Sequence, residues 1–152
     1  VVAAVREAKL ASRTSILSFD WRTLKTVQQE APDIPTVYLS MQQRGFDNIG
    51  EGRADPSAWT AGLRYRDHGS VPRMIKAAGG HTWSAFHRDL SAAKVKEAQE
   101  LGLQVLAWTV NEPSDIAGML DLGVDGIVSD RPDRVFEVLA RKGLKPRLPV
   151  PR

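Results

Sequence analysis

Two side chains that could bind a ligand follow one another closely in the stretch from Leu103 to Pro132. Trp108 ends a run of mostly apolar residues, and Asn111 comes shortly after it. An indole provides a wide apolar wall with one N–H donor to spare, and an amide can both donate and accept. Simpler roles compete, since Trp108 could be a core residue and Asn111 could cap the next helix. The spacing leaves both roles of Trp108 open and favours capping for Asn111.

The chain has three histidines, His68, His81 and His87. His87 and Asp89 lie two residues apart where a predicted strand ends, so they could share a metal ion. Two ligands are a weak indication, because protein metal sites normally use three or more. Surface or structural roles are therefore favoured for all three histidines.

Hydroxyl and carboxylate groups add little to this picture. Ser18 and Ser84 come late in predicted strands, where a hydroxyl could face a pocket, but no Ser-His-Asp arrangement can be recognised. For Asp130, capping of the last predicted helix is favoured. The absence of cysteine excludes disulfides and thiolate catalysis. These residues predict the walls of a pocket, but no acid, base or metal cage.

The elements that position Trp108 and Asn111 are a strand, a helix and a second strand. Residues 104–110 are mainly apolar or β-branched, which is typical of a buried strand. Pro113 begins a helix, because its missing N–H costs nothing at the first helical position, and Gly123 ends that helix. Residues 126–129 form the second strand. Such a unit requires parallel strands, whose carboxyl ends are where parallel sheets bind ligands.

The same alternation runs through the chain, with further strands predicted over residues 16–19, 35–40 and 82–86. Five strands and about six helices indicate an α/β fold with a parallel sheet. They could form an open sheet, or most of an eight-stranded barrel, which typically needs about 250 residues. No glycine-rich phosphate loop follows any strand, which weakens the open-sheet alternative. A long connection over residues 41–70 interrupts the rhythm, and such connections are more often functional than idle.

Composition sets wider limits on the protein. The 152 residues fit one domain, with the 42% hydrophobic and 26% charged residues of an ordinary globular protein. No apolar run approaches the roughly 18 residues that a membrane span needs. The net charge is +3, much of it in the last twelve residues, and no basic face with interleaved aromatics predicts nucleic-acid binding.

The first residues predict that the chain continues upstream. It begins with Val1 rather than Met, and residues 1–10 have the spacing of a helix already under way. We therefore expect a preceding segment, which could include a signal peptide. This leaves the compartment open between the bacterial cytoplasm and the periplasm.

Several motifs together resemble one enzyme family. VLAWTVNEPSDIAGMLDLGVDGIVSDRPD resembles the C-terminal signature of the glycerophosphodiester phosphodiesterases. ILSFD resembles the family's strand that ends in Ser-Phe, and WSAFHRDLSAAKVKEAQELGLQV resembles the strand and helix before its Trp-Thr-Val-Asn segment. PSAWTAGL and HGSVPRMIKAAGGHTWS resemble the long loop and helix of a bacterial subgroup. The resemblance extends from about Ser12 to Gly143.

This resemblance implies a (β/α)8 barrel of the TIM type, of which this chain holds about the fourth to the eighth strands. Residues 1–143 would be the C-terminal portion of a single barrel, with the long loop over 41–70, and residues 144–152 a proline-rich basic tail. The family hydrolyses glycerophosphodiesters to glycerol 3-phosphate and an alcohol. It uses one divalent cation (Ca or Mg) held by carboxylates, and two histidines as acid and base.

The family's catalytic motifs belong to its first three strands and have no counterpart in this sequence. The resemblance therefore implies no catalytic residue and no metal ligand in this chain. What carries over is the substrate side: Trp108, Phe19, Ser18 and Asn111. We expect that this chain alone is inactive, and that missing N-terminal strands or another chain close the barrel.

Two alternatives stay open at this point. The chain could be a non-catalytic barrel remnant that binds a ligand or partner through the loop over residues 41–70. It could also belong to a related barrel that cleaves a different diester, such as a phospholipid.

Overall fold

Parallel strands form the sheet around which the chain is built in the computed structural model, which describes residues 1–145. The strands are β1 (Ile16–Ser18), β2 (Thr36–Ser40), β3 (Gln42–Gln43), β4 (Phe46–Asp47), β5 (Thr82–Phe86), β6 (Gln104–Trp108) and β7 (Gly126–Ile127). Five of them lie side by side in the order β1-β2-β5-β6-β7, all parallel, and β3 pairs antiparallel with β4. The predicted α/β class is thus confirmed. The predicted tail lies, from residue 146 onward, outside the described residues.

Helices alternate with the parallel strands, as the sequence predicts. They are α1 (Val2–Glu7), α2 (Trp21–Glu30), α3 (Tyr65–His68), α4 (Val71–Ala77), α5 (Ala92–Glu100), α6 (Pro113–Asp121) and α7 (Pro132–Arg141). Asp20 caps α2 by accepting a hydrogen bond from the backbone N–H of Arg22 at 3.0 Å. Serines in the equivalent position cap α4 and α5. Within residues 1–145, no helix is long and apolar enough to cross a membrane.

One face of the sheet is closed by these helices. Tyr38, Trp83 and Val105 lie in register on neighbouring strands and are fully or almost fully buried. The polar groups of Tyr38 and Trp83 both have hydrogen-bond partners. The Tyr38 hydroxyl donates to the carbonyl of Ala78 at 3.0 Å, and the Trp83 indole N–H donates to the Ser40 hydroxyl at 2.8 Å. This face therefore carries the main core of the chain.

The other face of the same sheet is open. Leu39, Ser84 and Leu106 lie in register there. Leu17 in β1 is 49% exposed, and Val128 just after β7 is 43% exposed. β1 and β7 are the two edges, and the described residues 1–145 form no closed barrel. The barrel of which these strands would be the fourth to the eighth stays a prediction.

Candidate substrate-binding site

Aromatic rings meet at the carboxyl end of the sheet. Phe19 follows β1 directly and Trp108 ends β6, and their ring centroids lie 5.5 Å apart in edge-to-face contact. The ring centroid of Phe86, at the end of β5, lies 5.4 Å from that of Trp108. Contacts of this kind stabilise both rings beyond simple area burial. The structure thus brings together two of the four residues that the sequence predicts for the substrate side, Phe19 and Trp108.

Beneath these rings the open face forms a pocket of about 200 Å³. Its walls are almost entirely apolar and come from Leu17, Phe19, Leu39, Ser84, Trp108, Thr109 and Val128. Ser84 and Thr109 are the polar lining residues, and the Ser84 hydroxyl is fully buried without a hydrogen-bond partner within residues 1–145. Buried hydroxyls normally have a partner. The pocket therefore offers mainly apolar contact and no charge.

The indole N–H of Trp108 is not free, contrary to the sequence-based expectation. It donates to the carbonyl oxygen of Ser84 at 3.0 Å, because that strand lies directly alongside. His87, which follows β5, also contacts this residue, with Nδ1 3.3 Å from the Trp108 carbonyl oxygen. These contacts fix the ring, so that Trp108 can present its apolar surface to a ligand but not this donor.

Asn111 does not cap α6, so the favoured interpretation is wrong. The N-cap position is Glu112, which makes no side-chain capping bond. The Asn111 amide instead accepts from the Ser129 hydroxyl at 3.0 Å and from the Asp130 N–H at 2.9 Å, and donates to the Asp130 carboxylate at 2.9 Å. Asn111 therefore joins the loops after β6 and β7, and one amide hydrogen remains for a ligand.

Asp130 does not cap the last helix either. Arg131 holds the N-cap position of α7 and makes no side-chain capping bond. The Asp130 carboxylate is engaged by Asn111 instead. The sequence favours capping because the helix that follows Asp130 is its only evident neighbour. The partner that it binds instead, Asn111, lies 19 residues earlier in the chain.

Ser18 lies away from the pocket. It is in register with Tyr38, and side chains alternate along a strand, so it belongs to the helix-covered face. Its hydroxyl accepts the backbone N–H of Asp20 at 3.0 Å. Next to it, the hydrogen bond from Arg22 holds the pKa of the Asp20 carboxyl below its ordinary value. Asp20 is therefore an ionised capping residue rather than a proton donor at neutral pH.

His87 and Asp89 do not converge on a shared position. His87 points towards β6 and α6, where Nε2 lies 3.7 Å from the Asp115 carboxylate. The Asp89 carboxylate instead accepts from the backbone N–H of Gln42 at 2.8 Å and from the amide of Gln43. The described residues contain no group of three or more His, Asp or Glu side chains that could hold a metal ion.

The loop over residues 41–70 supplies site residues that the sequence did not reveal. β3 and β4 form a hairpin, and its Phe46 ring lies 5.1 Å from Phe19 and 5.9 Å from Trp59, edge-to-face in both cases. Arg44-Gly45 between the paired residues was the available signal, since two-residue hairpin turns favour glycine. Strands of two residues are too short to show a period, so the pattern was missed.

Comparison with known proteins identifies the family. The model of the glycerophosphoryl diester phosphodiesterase family matches residues 1–134. The chain therefore belongs to this family, as its motifs predict.

Solved and curated relatives agree with this assignment. A structure from Silicibacter pomeroyi DSS-3, described as a candidate glycerophosphoryl diester phosphodiesterase, is 39% identical with a TM-score of 0.79, covering 95% of this chain and 43% of that one. A glycerophosphodiester phosphodiesterase from Caldanaerobacter subterraneus subsp. tengcongensis is 25% identical over 143 residues, 94% of this chain and 49% of the relative. A dermonecrotic toxin from Loxosceles variegata is 38% identical over 78 residues, 49% of this chain and 28% of the toxin. The chain thus spans about half or less of the length of these relatives.

Proposed function

We propose that this chain forms the substrate-binding side of an enzyme that hydrolyses glycerophosphodiesters to glycerol 3-phosphate and an alcohol. The observation that carries the proposal is the apolar pocket walled by Phe19 and Trp108 at the carboxyl end of the parallel sheet. Barrel enzymes of this class bind substrates at that end. The carbon skeleton of a glycerophosphodiester would pack against the two rings, and the free amide hydrogen of Asn111 could meet one of its oxygens.

The open face supports the further proposal that these strands are the fourth to the eighth of a (β/α)8 barrel. Exposed apolar residues on a sheet, such as Leu17 and Val128, and a buried hydroxyl without a partner, that of Ser84, are costly unless something covers them. N-terminal strands of the same protein, or another chain, would supply that cover. Two unpaired sheet edges would be joined at the same time.

The proposed enzyme requires one divalent cation, Ca or Mg. Residues 1–145 do not fit such a site, since they contain no group of three or more acidic or histidine side chains that could together hold a metal ion. The ligands and the histidine pair would therefore lie in sequence outside this chain. The chain by itself is then expected to be inactive.

The test is hydrolysis by the whole protein that contains this chain. We expect it to release glycerol 3-phosphate from glycerophosphocholine, to lose this activity with a chelator, and to regain it with Ca or Mg. Trp108→Ala should lower kcat/KM by about 10-fold or more, since it removes a whole apolar wall. The matched control is Phe136→Ala, which removes an exposed ring on α7 that does not line the pocket. Unchanged kcat/KM in Trp108→Ala would overturn the pocket assignment.

The hydrolysis assay also tests the alternative that the chain belongs to a non-catalytic binding module. A barrel remnant that only binds a ligand would release no glycerol 3-phosphate under any metal condition. Residues 1–145 contain no group of three or more side chains that could hold a metal ion, which is compatible with this alternative as well. Translation of the reading frame upstream of Val1 gives an independent answer. The family resemblance implies that an enzyme carries two catalytic motifs there, a His-Arg-Gly segment and a Glu-x-Asp pair.

A further inference from the structure

Asp89 holds the hairpin of β3 and β4 at the carboxyl end of the sheet. Its carboxylate accepts two hydrogen bonds from successive residues of the hairpin, the backbone N–H of Gln42 at 2.8 Å and the side-chain amide of Gln43. The Asp89 carbonyl in turn accepts from Lys94 Nζ at 2.9 Å, which ties the same residue to α5. Hydrogen bonds to a charged acceptor are about twice as strong as neutral ones. Asp89 thus fixes a loop to the rigid sheet.

A second anchor closes the base of the hairpin. Asn48 is fully buried, and its amide accepts from the Met41 N–H at 2.9 Å and donates to the Leu39 carbonyl at 3.1 Å. The hairpin is therefore held on both sides, by Asp89 and by Asn48. Held this way, it places Phe46 against Phe19, one of the walls of the pocket.

We propose that Asp89 is a positioning residue, and that the Phe46 which it holds in place selects the alcohol half of the substrate. This inference rests on the proposed function. The rings contact one another in the order Trp108, Phe19, Phe46 and Trp59. Phe19 and Trp108 line the pocket, whereas Phe46 and Trp59 do not. A diester whose glycerol phosphate fills the pocket would therefore reach Phe46 with its alcohol. An aromatic wall without charge prefers the alcohol with more apolar surface.

The test compares two substrates that differ only in three methyl groups, glycerophosphocholine and glycerophosphoethanolamine. In the whole protein, Phe46→Ala should lower the preference for glycerophosphocholine by about 5- to 10-fold in kcat/KM, mainly through KM. Asp89→Asn should shift the preference in the same direction. An amide can accept at only one of the two positions and presents N–H groups at the other, so it cannot hold both residues of the hairpin.

A double substitution separates positioning from a general structural effect. If Asp89 acts through Phe46, then Asp89→Asn combined with Phe46→Ala should change the preference no more than Phe46→Ala alone. Asp33→Asn is the matched control, since it also removes one carboxylate, but that carboxylate pairs with Arg6 and lies just before β2, at the amino end of the sheet. It should leave the preference unchanged.

The rate of cleavage by trypsin tests whether Asp89 holds the hairpin in place, and it does not depend on enzymatic activity. Arg44 is exposed at the hairpin tip, and Asp89→Asn should speed cleavage after it about fivefold or more, because a freed loop is cut faster. If Asp89→Asn fails to fold, Gln43→Ala removes one of the two hydrogen bonds and should act in the same direction.

The outcomes distinguish this inference from the proposed function. Hydrolysis of both diesters with an unchanged preference in Phe46→Ala and Asp89→Asn overturns the inference and leaves the function standing. Unchanged cleavage after Arg44 overturns the role of Asp89 alone. Failure of the whole protein to hydrolyse either diester overturns both.

Discussion

The two faces of the sheet differ in how completely this chain satisfies them. On the helix-covered face, Tyr38 and Trp83 are buried and their polar tips have partners within the chain. On the open face, Ser84 has a buried hydroxyl without a partner, and apolar side chains such as Leu17 face outward. Both faces come from the same strands, so strand formation alone does not explain the difference. The helix-covered face is therefore satisfied within the chain, whereas the open face leaves apolar side chains exposed and one hydroxyl without a partner among residues 1–145.

The largest expected difference between the two faces comes from removing one tryptophan from each. Trp83→Ala should lower the free energy of unfolding by about 3–5 kcal/mol, because a fully buried aromatic leaves a cavity. Trp108→Ala should cost about 1–2 kcal/mol, since this ring lies partly exposed on the open face. Urea denaturation followed by circular dichroism measures both. Equal losses would mean that the faces contribute alike and that the comparison fails.

An added methyl group tests how tightly the closed side is packed. A Cβ on Gly80 would lie 2.6 Å from Ile75 Cγ2 and 2.9 Å from the Tyr38 ring, so Gly80→Ala should cost about 1–3 kcal/mol. Gly118 in α6 has nothing within 4 Å of such a Cβ, and Gly118→Ala should instead stabilise by about 0.5–1 kcal/mol. Thermal melts of the two variants give the signs. A stabilising Gly80→Ala would show that the helix layer yields easily.

The cap of α2 should make the closed side sensitive to pH. Asp20→Ala removes the hydrogen bond to the Arg22 N–H and should cost about 1 kcal/mol at pH 7. The Arg22 hydrogen bond lowers the pKa of Asp20 in the folded state. Its contribution is therefore present above the unfolded pKa of about 3.9 and is lost as the pH falls through the folded pKa.

Urea denaturation at pH 7 and pH 3 checks this dependence. The difference between wild type and Asp20→Ala should shrink at the lower pH. Asp20→Asn is the control, because asparagine also caps helices but does not titrate in this range. A loss in Asp20→Ala that stays constant between the two pH values would contradict the assignment.

The smallest effect is expected at Ser84 on the open face. In the 152-residue chain, Ser84→Ala should change the free energy of unfolding by less than about 0.5 kcal/mol, because no hydrogen bond is lost. In the whole protein the same change should cost about 1 kcal/mol if a further strand supplies a partner. Chemical denaturation of both forms gives the comparison. Equal effects in the two would argue against a partner from outside the chain.

Local sequence signals predicted most of the fold. The helix start at Pro113 depends only on residues within one turn, and the structure has it. Strand ends were less accurate, since the strand predicted to reach residue 110 ends at Trp108. Where a strand ends depends on its neighbours in the sheet, which local patterns do not show.

The site was predicted only in part, for a related reason. Phe19 and Trp108 each end a parallel strand, so the topology that the sequence predicts already brings them to one end of the sheet. The partners of Asn111 come from residues 18 and 19 positions further along, and those of Asp89 from 46 and 47 positions earlier. A polar side chain can form hydrogen bonds of similar free energy with several partners, and the residues that lie near it in the folded structure determine which of them it binds.

The sequence by itself determined the alternation of strands and helices, the parallel sheet and the family, because these depend on short-range periodicity and on motifs read in order. Only the tertiary structure decided which groups meet at the carboxyl end of the sheet. In the folded structure the Trp108 N–H donates to the Ser84 carbonyl, Ser18 faces away from the pocket, and Phe46 packs against Phe19. Hydrogen bonds and ring contacts of this kind join residues distant along the chain, and their geometry exists only once the strands are paired.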